Sequence, residues 1–373
     1  MIYHNATVFM PDGHFVRGSF AVENGVFTAV CADPTAKGDV DLGGAYVIPG
    51  LIDIHTHGNS GSDFSDGDPD GLKKMASYLA SRGVTSFAPT SMTLPYDVLA
   101  TAFASAKAYC ENRPAHSAKL AGIHMEGPFF SYGKRGAQNP EYLRLPDFDA
   151  FEKLYRDCGG LISIVDVAPE LDGAAAFAEK ASKLCTVSAA HTESDYAHAQ
   201  AFYAAGASHL THLYNAMPPL AHRNPGVIGA ACECETATAE LICDGHHVHE
   251  SAVRAAFRLF PDRICLISDA LRCCGMPDGT YTLGGQEIFL KGGVARLADG
   301  TIAGSAATLA DCLQKAIAFG IPREAAVRAA TLTPAKVLGL NDVGMIAIGK
   351  AADFLVCDDA MRPKQIYLNG VLV

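Results

Sequence analysis

The sequence predicts an α/β protein: a (β/α)8 TIM-like barrel with a small β-sandwich domain formed by both chain ends. Three observations carry this. Eight apolar runs alternate with helical stretches through the middle of the chain, and short β-like runs divided by Gly, Asp and Pro turns occupy both ends. The 373 residues also suit a barrel of about 250 residues with an accessory domain.

Taken in order, "ATVFM", "GSFAVENGVFTAV" and "GAYVIPG" read as short strands between turns, and "GKAADFLVCDD" and "PKQIYLNGVLV" repeat that texture at the far end. Both ends are therefore expected to pair into one domain, residues 1–48 and 341–373, around a barrel spanning 49–340. The eight barrel runs are "YVIPGLIDIHTH", "VTSFAPT", "AKLAGIHMEG", "GLISIVDVAPE", "CTVSAAHT", "ASHLTHLYN", "AELICDG" and "RICLISDA". Helical stretches such as Gly71 to Arg82, Ser194 to Gly206 and Ser251 to Phe260 lie between them, the pattern of a parallel sheet. Residues 275–300 read as a Gly-rich β-hairpin excursion before the last barrel helix.

Composition excludes several function classes. A net charge of −11 with no concentrated Lys/Arg patch argues against a nucleic-acid or anionic-membrane surface, and leaves a small molecule as the expected partner. No run approaches the ~18 apolar residues needed to span a bilayer, and Met1 is not followed by a basic and then apolar leader, so a cytoplasmic protein is expected. The 12 cysteines are dispersed and many lie in apolar segments, which reads as reduced thiols. Cys232 with Cys234, and Cys273 with Cys274, lack the CxxC…CxxC spacing of a structural zinc site.

The polar residues that end the apolar runs carry the chemistry, because a barrel of this kind places its active site at the C-terminal ends of its strands. His55 and His57, two residues apart in "GLIDIHTHGN", share one face of an extended strand. Glu126 ends the third run, His191 the fifth, His212 the sixth, "DGHHVH" the seventh and Asp269 the eighth. Singly, Glu126 reads equally as a cap, His191 as a helix N-terminal residue and His212 as a core histidine. Together they suit a borderline divalent cation such as Zn2+ or Fe2+, which prefers imidazole and carboxylate and leaves positions open for water. Asp269 beside such a centre could take a proton from an attacking water and pass it to a leaving nitrogen, or could merely orient a histidine ligand. Metal-assisted hydrolysis is the reaction class this predicts.

On these residues the chain resembles the amidohydrolase superfamily and, within it, the N-acetylglucosamine-6-phosphate deacetylase family. "PGLIDIHTHG" and "LISDA" are similar to motifs shared across the superfamily, whereas "HMEGPF" with "KRGAQNP", "THLYNAM" and "DGHHVH" resemble the deacetylases. The resemblance implies hydrolysis of the acetamide of an amino-sugar phosphate, one or two divalent cations per subunit, and a homodimer in which a neighbouring subunit closes part of the site. It further implies that Asn215, Ala216 and His247 contact the sugar, that Arg223 holds the phosphate, and that Ala137 and the segment Ile302, Ala303 and Gly304 line the substrate. Gln138 stands where some relatives carry a histidine. Rival readings are a galactosamine-epimer deacetylase, an isoaspartyl-type peptidase, a base deaminase, or a non-catalytic barrel scaffold.

Overall fold

The computed structural model describes residues 1–33 and 35–373. Eight parallel strands form the barrel: Leu51–Thr56, Val84–Ser91, Ile123–Phe129, Ile162–Val167, Thr186–Ala189, His209–Leu210, Thr238–Ile242 and Ile264–Ile267. They coincide with the eight apolar runs of the sequence, and most of their residues are buried on both sides, as expected where helices cover the outside of a parallel sheet. The last strand returns to the first just beyond their regular parts. The amide of Asp269 donates to the carbonyl of His55, and the amide of His57 to that of Ala270, both at 2.9 Å.

The outer helices follow the apolar spacing. Pro69–Ser81 opens with Asp68 capping the amide of Asp70 and proline in its first turn, then buries Leu72, Met75, Ala76, Leu79 and Ala80 at helical intervals. Helix Leu309–Ala318 begins with a reciprocal capping box between Thr308 and Asp311. The stretches read as helical at 71–82, 194–206 and 251–260 form Pro69–Ser81, Tyr196–Ala204 and Glu250–Leu259.

Both chain ends join in one sheet. Phe354–Cys357 pairs antiparallel with Tyr46–Pro49, and beyond it lie Ile2–Phe9, Phe15–Glu23 and Val26–Cys31. This sheet folds over on itself: Phe20 and Phe354 sit three strands apart in the pairing order, yet their rings are 5.0 Å apart. The sandwich is therefore made of two halves of one continuous sheet, closed around Tyr3, Phe20, Phe27, Phe354 and Tyr367.

The excursion expected over 275–300 runs further and holds four antiparallel strands, Gly279–Leu283, Gln286–Lys291, Val294–Leu297 and Ile302–Ser305. The fourth strand carries the chain back to the barrel, where Ser305 bridges to Ala270 beside the last barrel strand. Among the described residues no helix is long and apolar enough to cross a membrane.

Candidate metal centre and active-site cavity

The two-residue period of the first strand puts Asp53 and His55 on one side, with His57 in the next equivalent position just past the strand end, and all three are buried. From the opposite wall Glu126 reaches the same point. His55 Nε2 is 3.7 Å from Glu126 Oε1 and 3.5 Å from Asp269 Oδ1, and His57 Nε2 is 3.5 Å from Glu126 Oε2 and 3.4 Å from Asp269 Oδ1. On the other side, His191 Nε2 and His212 Nε2 lie 3.1 and 3.3 Å from Glu126 Oε1 and 3.1 Å from each other.

Hydrogen bonds at the outer ring nitrogens orient three of these imidazoles. His55 Nδ1 is 2.8 Å from Glu240 Oε2, His57 Nδ1 is 3.1 Å from the carbonyl of Thr90, and His191 Nδ1 is 2.8 Å from that of Lys134. A carbonyl or carboxylate accepts only, so each Nδ1 carries a hydrogen and each Nε2 is the nitrogen left to face the centre. His55 Nε2 is fully buried with no hydrogen-bond partner, an orphan that a cation would satisfy.

The spacing fits as well. Ligands about 2.0 Å from a tetrahedral ion lie about 3.3 Å from one another, and the separations here run from 3.1 to 3.7 Å. Two groups emerge, His55–His57–Glu126 and Glu126–His191–His212, with Glu126 common to both. Among the described residues, the side chains close enough to share a cation are His and Glu, with no cysteine.

The electrostatics point the same way. Burial opposes the imidazolium of His57, but its bond to Asp269 and the charge of Glu126 raise its pKa to about 9. His212 also rises to about 9, against burial, through Glu126. Burial would raise the pKa of Glu126, yet His191 and His212 hold it well below the usual carboxylate range, and His57 and His55 lower that of Asp269. Protons thus hold together an excess of carboxylate charge that a divalent cation would neutralise in their place.

Backbone geometry aims these residues. His191, His212 and Asp269 each follow a strand with φ of +44°, +31° and +47°, a left-handed conformation that turns the side chain from the strand direction into the barrel mouth.

Above the centre opens a cavity of about 440 Å³. Its walls include His57, Glu126, His191, His212 and Asp269, together with Ala137, Gln138, Asn215, Ala216, His247, Ile302, Ala303 and Gly304. His55 lies beneath the cavity floor. Arg223 does not line the cavity: it is exposed on the loop that precedes helix Gly226–Glu233. The cations at the mouth are instead Lys134 and Arg135. Gly304, with φ +154°, passes so close to Leu271 that a Cβ there would meet that side chain at 2.8 Å.

Several supporting contacts escaped the sequence reading, including that of Gln138, which the sequence marks only as standing where some relatives carry a histidine. Asp244 accepts hydrogen bonds from the amides of His246 and His247 and lies 2.7 Å from His247 Nδ1, which leaves His247 Nε2 for the cavity. Burial alone would raise the pKa of Asp244, but His247 brings it down to about 2. Gln138 takes the amide of Thr93 on its Oε1 and donates from Nε2 to Glu126 Oε2 at 2.6 Å. Below the floor, His124, Asp166, His209 and Glu240 form a fully buried polar layer. Its signals were a charged residue inside the apolar run "AELIC" and a histidine two places before Glu126.

Comparison with known proteins agrees with this geometry. Residues 46–373 match the amidohydrolase family. The chain is 34% identical over 364 residues to an N-acetylgalactosamine-6-phosphate deacetylase of Escherichia coli O157:H7, covering 97% of this chain and 95% of that one. It is 38% identical over 316 residues to an N-acetylglucosamine-6-phosphate deacetylase of Bacillus subtilis, covering 83% and 80%. Its fold superposes on the crystal structure of N-acetyl-D-glucosamine-6-phosphate deacetylase from Mycobacterium smegmatis with a TM-score of 0.93 at 33% identity, over the full length of both chains. With the family matched over most of its length and its strand-end histidines and carboxylates converging on one point, the chain belongs to the amidohydrolase family.

Proposed function

We propose that the chain hydrolyses the acetamide of N-acetyl-D-glucosamine 6-phosphate to D-glucosamine 6-phosphate and acetate, in amino-sugar catabolism in the cytoplasm. The observation that carries this reading is the convergence of four imidazoles and Glu126 with Asp269 at the floor of a cavity sized for a sugar phosphate. The relatives named as amino-sugar-phosphate deacetylases support it.

His55, His57, Glu126, His191 and His212 would hold one or two divalent cations, Zn2+ or Fe2+ by the softness of this donor set. Such a cation, when bound, supplies Lewis acidity toward the amide carbonyl and makes water acidic. Asp269, held as a carboxylate, takes the proton as the water oxygen adds to the carbonyl carbon. It returns that proton to the nitrogen as the C–N bond breaks, and the acetic acid formed yields its remaining proton to the amine, so the products leave as acetate and the ammonium form of the sugar. His247, steadied by Asp244, and the Asn215–Ala216 turn hold the sugar. Arg223, exposed on its own chain, serves the phosphate across a homodimer.

The galactosamine epimer is the second reading, favoured by the Escherichia coli relative, which is matched over nearly its whole length. Acetate release from both 6-phosphates and from unphosphorylated N-acetylglucosamine, with metal counted in the same preparation, tests both. The glucosamine 6-phosphate derivative should give the highest kcat/KM; a preference for the 4-epimer selects the second reading. No acetate from either phosphate in metal-replete protein refutes both.

A further inference from the structure

Glu240 is fully buried in the middle of the seventh barrel strand, Thr238–Ile242, below the cavity and outside its lining. A lone carboxylate in that position carries a heavy desolvation cost unless both oxygens are engaged, and here they are. Oε2 lies 2.8 Å from His55 Nδ1 and accepts the amide of His212 at 3.1 Å. Oε1 lies 3.2 Å from His209 Nε2, whose other nitrogen is 2.6 Å from Thr238 Oγ1.

His55 belongs to one group of candidate ligands and His212 to the other. One oxygen of Glu240 therefore touches both groups, through a side chain in one and a backbone amide in the other. At His55 the bond sets the tautomer, hydrogen on Nδ1 and lone pair on Nε2, and leaves that Nε2 as the buried orphan at the centre. At His212 the bond holds the peptide that enters a left-handed residue, φ +31°, whose strain needs a fixed partner. We propose that Glu240 is a positioning residue shared by the two halves of the centre, orienting one imidazole ligand of each.

Resting on the assignment of His55 and His212 as ligands, the inference makes metal affinity at both halves depend on a residue that touches no substrate. His55, His124 and Glu240 are close enough to take an ion themselves. The nitrogens that face one another there are already committed, however: His55 Nδ1 to Glu240, His124 Nδ1, at 3.0 Å, to the carbonyl of Ile54, and His124 Nε2, at 3.0 Å, to Asp166 Oδ1.

The test uses Co2+ as probe on the full chain and on Glu240→Gln, with chelator-competed titration, visible absorption and ion counting. Unmodified protein that binds no Co2+ refutes the ligand assignment itself. If unmodified protein binds, Glu240→Gln should weaken binding about 10- to 100-fold, the usual scale for loss of a ligand's orienting partner, and should alter the Co2+ absorption bands. The melting temperature of the cation-free variant separates this from general unfolding. Equal affinity and an unchanged spectrum overturn the proposal while leaving the ligand assignment intact, and a third ion per chain overturns it in favour of an inner binding site. Should Glu240→Gln fail to fold, nitrogen-15 histidine NMR of the unmodified, Zn2+-loaded chain decides. His55 must carry its hydrogen on Nδ1 and bind through Nε2; coordination through Nδ1 refutes the proposal.

Discussion

Asp269 lies 3.5 Å from His55 Nε2 and 3.4 Å from His57 Nε2, on the cavity floor and with its pKa lowered, so it is a carboxylate beside the candidate ligands, placed to serve as the proposed base. Asp269→Asn keeps the size and cannot take a proton, so kcat should fall by about 10²-fold or more while metal content persists. Measuring both on one sample checks this; near-normal turnover with metal retained moves the proton to His247, whose Nε2 faces the same cavity. The candidate ligand histidines separate by group. Glu126→Ala removes the residue common to both groups and should empty the centre, whereas His191→Ala and His57→Ala should each disturb one group. Metal analysis of the three variants reads out the stoichiometry, and unchanged metal in all three refutes the ligand assignment. These residues were legible because each ends an apolar run, where polarity has no packing reason. Glu240 was not, and neither were the contacts of Gln138 and Asp244: Glu240 meets His55 and Gln138 meets Glu126 only through the fold, while Asp244 stands three residues before His247 in "DGHHVH" with nothing in the sequence to mark their bond.

The barrel strands were legible for a related reason: covered on both faces, they appear as continuous apolar runs that no surface element would show. The excursion was read as a hairpin and proved to have four strands, because the turns at Gly284–Gly285 and Gly292–Gly293 are visible in sequence, whereas the return of Ile302–Ser305 depends on pairing with Val294–Leu297. The small sandwich was expected from both chain ends, but its construction from one continuous sheet was hidden. Alternation identifies each strand but says nothing of a sheet folding back far enough to bring Phe20 against Phe354. Phe354 is fully buried and its ring meets those of Tyr3, Phe20, Phe27 and Tyr367. Phe354→Ala should therefore cost about 3–5 kcal/mol of stability, the usual range for an aromatic deleted from a packed core. Urea unfolding measures that cost, and metal content and kcat should be unchanged where the variant is folded, since the sheet lies apart from the barrel mouth. A loss below about 1 kcal/mol would show that the folded-over sheet contributes little cohesion.

Across the whole molecule, the barrel axis holds a column of buried charge, from Asp53, His124, Asp166 and Glu240 below to Glu126 and Asp269 at the mouth, inside a shell of apolar strands and helices. Such a column is stable only with its charges matched, and in the cation-free chain histidine protons supply part of the match. His57 and His212, each raised to about 9, contribute stability that is complete below the unfolded histidine pKa of about 6.5 and is lost as pH climbs through about 9. Glu126 and Asp269 are shifted down, so their contribution is present above the ordinary carboxylate range and is lost in acid. The cation-free chain should accordingly melt at progressively lower temperature from about pH 6.5 to about pH 9. A bound cation displaces those protons, so the loaded chain should show a flatter profile and a higher melting temperature throughout, with the gap widening as pH rises. By the same linkage cation binding releases protons, and apparent affinity should strengthen with pH across that window. Thermal melts with and without chelator, paired with calorimetric titration in two buffers of different ionisation enthalpy, measure the slope and the proton count together. A cation-free melting temperature that holds level or rises between about pH 6.5 and pH 9 would mean that no raised histidine balances these carboxylates, because His124 beneath them, which its bond to Asp166 raises to about 10 against burial, would tilt the profile downward over the same window.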